Sequence, residues 1–149
     1  MKVLVINAGS SSVKYHLYQM PQAEILAGGF VERIGEEISE LSHFYNGKSH
    51  IAPGRIESVE EAMELILQTL TDGEVGVLQH ISEIDAVGHR VVHGGEEFTG
   101  SVIIDENVIA SIEKFADLAP LHNPPNLAGI RAAQHHLPNT AQVACFDTA

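Results

Sequence analysis

The chain has 149 residues, enough for one ordinary domain, and 44% of them are hydrophobic with a mean hydropathy of +0.05, which excludes a disordered chain. Eight Lys and Arg stand against 20 Asp and Glu, a formal net charge of −12. A surface that acidic repels phosphate backbones, so nucleic acid and anionic membrane are poor partners, and any anion site must be built locally against the global field. The single cysteine, Cys145, allows no disulfide within the chain, fits a reducing compartment, and reads as a buried packing thiol in an apolar run. The opening run Met1 to Ile6 is too short for a signal core and no stretch approaches transmembrane length, so the expectation is a cytoplasmic protein.

In chain order, Lys2 to Asn7 predicts a buried strand, and Ala8-Gly9-Ser10-Ser11-Ser12 a turn of small residues. Val13 to Tyr18 alternates, with Val13, Tyr15 and Leu17 on one face and Lys14, His16 and Tyr18 on the other, which completes a hairpin. Glu24 to Glu32 is a third strand whose Gly28-Gly29 pair signals a bulge or a close approach. Leu41 to Tyr45 predicts a fourth strand, followed by the turn Asn46-Gly47 and a short run near His50-Ile51. Ser58 and Glu61 spell a capping box, and Val59, Ala62, Met63, Ile66, Leu67 and Leu70 make one apolar helical stripe that ends at Thr71-Asp72-Gly73. Ile84 to Val92 predicts a core strand, Val102 to Ile104 a short one, and Asn107 to Leu118 a helix stopped ahead of Pro120. Asn123-Pro124 opens a helix running to about His136, and Gln142 to Phe146 is a last buried strand with Asp147 at its tip. This order predicts an α/β domain with a mixed sheet covered by helices. A polar residue at such a tip normally feeds an active-site loop, so the chain is expected to be part of a longer one.

Four constellations can carry chemistry. Asn7-Ala8-Gly9-Ser10-Ser11-Ser12 with Lys14 offers backbone N–H groups and hydroxyls for phosphate oxygens or magnesium-bound water; it is not a Walker loop, and the alternative is an ordinary polar turn. In Gly88-His89-Arg90-Val91-Val92-His93-Gly94-Gly95, the two histidines lie roughly 13 Å apart if the segment is a strand, too far for one zinc ion. Arg90, in an otherwise apolar strand, meets either a protein carboxylate or an anionic ligand. His122 immediately precedes a helix N-terminus, where it either donates to an anion or serves the cap. Asp147 is either a site carboxylate or a solvated loop residue, and His135-His136 is explained by the helix C-terminus alone.

These pieces, in this order, resemble the acetate kinase family. Asn7 to Ser12 with Lys14-Tyr15, Gly88 to Gly95, Ala119-Pro120-Leu121-His122-Asn123-Pro124 and Cys145-Phe146-Asp147-Thr148-Ala149 match the family's signatures, and the resemblance covers the whole chain. It implies a ribonuclease-H-like domain of the sugar kinase, Hsp70 and actin type. Residues 1–149 would be the N-terminal, substrate- and phosphate-side half, with the nucleotide-binding half absent and the isolated half inactive. The implied reaction is reversible phosphoryl transfer from ATP to acetate, giving acetyl phosphate and ADP, with Mg²⁺ or Mn²⁺. Carried over, Asn7 lies at the metal end of the cleft, with Ser10, Ser12 and Lys14 at the phosphates. Arg90 binds the acetate carboxylate or acetyl phosphate, Val92 and Leu121 line the methyl pocket, His122 stabilises the transferring phosphoryl group, and Asp147 is the essential carboxylate. A homodimer is implied for the full-length enzyme. Propionate kinase shares these motifs and is the alternative within the family; a non-catalytic module that binds phosphate or acyl phosphate is the alternative outside enzymology.

Overall fold

The computed structural model describes residues 1–91, 100–114 and 123–146. The strands are β1 (Lys2–Ala8), β2 (Val13–Gln19), β3 (Glu24–Glu32), β4 (Ser39–Tyr45), β5 (Lys48–Gly54), β6 (Ala86–Val91), β7 (Gly100–Ile103) and β8 (Ala141–Phe146). The helices are α1 (Val59–Leu70), α2 (Glu106–Lys114) and α3 (Asn123–His136). All eight strands form one sheet in the order β5-β4-β3-β2-β1-β6-β8-β7. The β1–β5 meander is antiparallel, β1-β6-β8 is parallel, and β7 returns antiparallel to β8. This is the mixed α/β sheet the element order predicts.

Strand alternation decides which side chains enter the core. Leu4, Ile6 and Ala8 of β1 are buried with Val13, Tyr15 and Leu17 of β2, on the face that meets the helices. They join Ala62, Met63, Ile66 and Leu70 of α1 in the larger hydrophobic cluster. A smaller cluster gathers Val91, Ile104, Val108, Ile109, Ile112, Ile130 and Ala144. Gly129 lets α3 cross β1 closely, because a Cβ there would stand 3.3 Å from Ala8 Cβ.

The cap of α1 is half as the sequence predicts. Ser58 Oγ accepts from the Glu61 N–H at 3.2 Å, a bond of the kind that contributes about 1 kcal/mol. The Glu61 carboxylate, however, accepts from the Glu57 N–H at 2.7 Å instead of closing back on Ser58. Gly29 is the close approach expected of the glycine pair: a Cβ there would lie 2.0 Å from the Ser42 carbonyl oxygen. A bulge is present in the same strand as well: Leu17 is opposite Ala27 and Tyr18 opposite Ile25, which leaves Leu26 as the extra residue, two positions before the glycine pair.

Several boundaries shift. β4 starts at Ser39, because the Ser39 hydroxyl donates to the Arg33 carbonyl and accepts from the Ile56 N–H, which extends pairing with β5 to Gly54. β6 starts at Ala86, after a 3-10 turn at Ile81–Glu83 whose Glu83 carboxylate caps the Gln79 and His80 N–H groups. The short strand of the second half runs Gly100–Ile103, and α2 is described over Glu106–Lys114.

Candidate functional site

The β1–β2 hairpin presents the serine-rich turn at the C-terminal edge of the parallel strands. Its backbone is tied down from two sides. The Gly9 N–H donates to the Ser12 carbonyl at 2.7 Å, and the Ile34 N–H donates to the Ser11 carbonyl at 3.0 Å. From α3, the Asn126 Nδ2 donates to the Ala8 carbonyl at 2.6 Å, so the start of the helix that His122 precedes is anchored to the end of β1. Ser10, Ser11 and Lys14 are exposed, and Asn7 and Ser12 are half-buried.

Register brings the polar residues into one row. Asn7 is opposite Lys14. Ile6 is opposite His89, so the next step along both parallel strands sets Asn7 beside Arg90. Arg90 is in turn opposite Cys145, and Cys145 opposite Ser101. Arg90 is exposed, as alternation requires between buried His89 and buried Val91. It therefore lies on the sheet face away from the helices and carries none of the burial cost that a place inside an apolar strand suggested.

The same alternation corrects the reading of Cys145. Ala144 is buried, so Cys145 points the other way and is exposed, with the Ser101 hydroxyl donating to its sulfur at 3.4 Å. An apolar run in a strand does not bury both of its faces unless both are covered. A groove of about 480 Å³ on this side adjoins Lys14 and His16, with Phe30 and Phe44 across it and Gly28 and Gly29 beneath. It abuts the polar row at Lys14 and does not reach Arg90.

Two histidines that sequence reasoning left unassigned are buried. His43 Nε2–H donates to the Val75 carbonyl at 2.8 Å, while its Nδ1 accepts from the Tyr15 hydroxyl at 2.6 Å. Burial lowers the His43 pKa, and burial also pushes the Tyr15 phenol upward. His89 Nε2–H donates to Gln142 Oε1 at 2.7 Å, and burial pulls its pKa down to about 4 against the weaker opposing pull of that bond. His89 is thus a neutral donor within the core. Alternation alone could have marked both histidines as inward-facing, since each shares its strand face with buried aliphatic residues. Val92, Leu121, His122 and Asp147 lie outside the described residues.

A sheet in this strand order, with its helices on one face and a small-residue hairpin at the strand ends, is a ribonuclease-H-like domain of the actin-like ATPase class. The solved structure of the acetate kinase from Porphyromonas gingivalis superposes on 99% of the chain with a TM-score of 0.95 at 48% identity. The propionate kinase from Francisella tularensis superposes on 99% with a TM-score of 0.90 at 35% identity. Among curated proteins, the acetate kinase of Thermotoga maritima is 53% identical over 149 residues and that of Clostridium kluyveri 50%, each across 100% of this chain. The acetokinase family profile matches residues 2–149, and the chain belongs to that family. It spans 37% of the length of those curated relatives.

Proposed function

We propose that this chain forms the substrate- and phosphate-side half of an acetate kinase, which transfers a phosphoryl group reversibly between ATP and acetate. The observation that carries the reading is the row Lys14, Asn7, Arg90 on one sheet face at the C-terminal strand ends, beside the anchored serine turn. That edge is where α/β folds bind ligands. In a chain of net charge −12, a lysine and an arginine on the two strands that flank β1 make a local anion site.

Acetate, like a glutamate side chain of pKa about 4.3, is ionised at pH 7, so no base is needed to make it a nucleophile. Its carboxylate oxygen attacks the γ-phosphorus in line, the bond to the bridging oxygen of ADP breaks, and acetyl phosphate forms with no proton transfer. The obstacle is repulsion between two anions. Arg90 grips the carboxylate, Val92 and Leu121 enclose the methyl group, and His122 donates to the transferring phosphoryl oxygens. Ser10, Ser12 and Lys14 hold the phosphates, and Asp147 orients Arg90 or a metal-bound water. The Asn7 carboxamide and the serine hydroxyls are hard oxygen donors, which suit Mg²⁺ or Mn²⁺ holding most of its own waters. When bound, the ion supplies charge neutralisation between the phosphates.

On this reading residues 1–149 are an N-terminal domain, and nucleotide binding falls to a second domain of the full-length enzyme. The same reading makes the full-length protein a cytoplasmic homodimer. Propionate kinase is the second reading, since a propionate kinase structure is also similar to the chain, at lower identity. A pocket discriminates one methylene by only about 1–3 kcal/mol, so activity on both acids is expected of either enzyme.

The test is acetyl phosphate formation from acetate and MgATP by the purified chain and by Arg90→Ala. Loss of a transition-state donor costs roughly 2.7–4 kcal/mol, so activity present in the parent is expected to fall on the order of a hundredfold or more in the variant. Near-parental turnover in Arg90→Ala removes Arg90 from the site. Absence of turnover in both, with acetyl phosphate still bound by the parent alone, identifies a binding half that needs its second domain.

A further inference from the structure

His89 lies directly beneath the candidate site, on the reverse face of the strand that carries Arg90. Its neighbours on that face are Val87, in the larger hydrophobic cluster, and Val91, in the smaller one, so His89 occupies the seam between them. It is 2% exposed and its partner Gln142 is 4% exposed. A polar pair in such a place is costly to desolvate and could be replaced by aliphatic side chains, so its presence asks for a reason beyond burial.

Geometry supplies one. In register, His89 is opposite Ala144 while Gln142 is opposite Val87, so the 2.7 Å bond runs diagonally from β6 to β8. The far end is secured as well, because Gln142 Nε2 donates to the Thr140 carbonyl at 3.4 Å. Parallel strands rich in small and aliphatic residues discriminate poorly against a two-residue slip, which preserves the alternation of faces. A directional bond between two fixed positions discriminates well, and setting register is the best-attested use of a buried polar pair. The register it favours puts Arg90 opposite Cys145 and Val91 opposite Phe146, the last residue of β8, so β8 ends one step beyond the level of Arg90.

We infer that His89 is a positioning residue: through Gln142 it pins β8 to β6 and sets the level at which β8 ends relative to Arg90. The consequence for ligand binding rests on the acetate kinase reading; the consequence for register does not.

The experiment uses the whole chain, labelled for NMR, in three forms: the parent, His89→Leu with Gln142→Leu, and the exchange His89→Gln with Gln142→His. One readout is the set of cross-strand contacts joining Arg90 to Cys145. A second is acetyl phosphate affinity followed at the Arg90 Nε–H, and thermal melting serves as the control for folding. The apolar pair is expected to melt cooperatively at or above the parental temperature, to lose or double the Arg90–Cys145 contacts, and to bind acetyl phosphate about fivefold or more weakly. The exchanged pair is expected to restore both. Parental register and affinity in a folded apolar pair overturn the pin, as does an exchanged pair that melts like the parent without restoring either readout. Should the apolar pair not fold, Gln142→Met removes the acceptor for His89, together with the donor to Thr140, and supplies the same comparison. A parent that binds no acetyl phosphate overturns the acetate kinase reading instead, and the cross-strand contacts still decide the pin.

Discussion

On the face that meets the helices, Leu4, Ile6, Val13, Leu17 and Val87 are buried against α1 and α3, and the polar groups among them are bonded in pairs. On the opposite face the same strands show Val5, Lys14, His16, Arg90, Cys145 and Ile103, all exposed. The covered face has little tolerance, since each atom there has a neighbour and each polar group needs its partner. The opposite face carries cations, a thiol and small residues without such demands, and there a ligand can approach. The comparison separates what holds the domain together from what is available for chemistry.

The glycines test this contrast with the largest expected effect. Gly29→Ala puts a Cβ 2.0 Å from the Ser42 backbone oxygen, an overlap that backbone cannot relieve cheaply, so loss of the cooperative melt is expected. Gly88→Ala, where the nearest atom is Val5 Cγ2 at 3.8 Å, is expected to leave the melt unchanged or raise stability by about 0.5–1 kcal/mol. Equal damage from both would break the comparison. Truncations come next: Ile66→Ala in the core is expected to cost about 2–5 kcal/mol in denaturant titration, and Val5→Ala, with 37% of its surface exposed, much less.

Acid sharpens the contrast further. His43 and His89 have folded pKa values below that of an unfolded histidine, because burial disfavours their charged forms. Below pH about 6.5 the unfolded chain therefore takes up protons that the folded chain refuses, and stability falls as pH drops. For His89 the loss runs from the ordinary value of 6.5 down to about 4 and amounts to about 3 kcal/mol. His43 adds to it in the same direction. Asp72 and Glu83, held below the usual carboxylate range by backbone N–H groups, extend the loss to lower pH. Melting temperature against pH, compared between the parent and His89→Leu, checks this: the variant's curve is expected to be flatter between pH 6.5 and 4. The smallest effect is expected at Cys145, whose alkylation in the folded protein should proceed readily and leave the melting temperature unchanged.

Much of the fold was legible because the local signals agreed with it. The Ser58 cap and the apolar stripe from Val59 to Leu70 appear as α1, and the alternation from Val13 to Tyr18 appears as β2 with the expected faces. Cys145 misled because its strand reads as wholly apolar, and only the helices' choice of face exposes it. His43 was passed over because nothing near it in sequence names Tyr15 or Val75, which come from 28 and 32 residues away. The candidate site was legible as four separate motifs; that Asn7, Lys14 and Arg90 share a row was not.

From its own order of residues the chain determined the elements, the alternation of each strand and the family, since these rest on local spacing and on motifs that stay together along the chain. Only the tertiary structure decided that β6 slots between β1 and β8, that the helices gather on one face, and that a histidine on the reverse of the Arg90 strand meets a glutamine 53 residues later. Those outcomes depend on which strands pair and in which register. Long-range pairing is settled by packing and directional bonds across the whole domain, and no short window of sequence contains both partners.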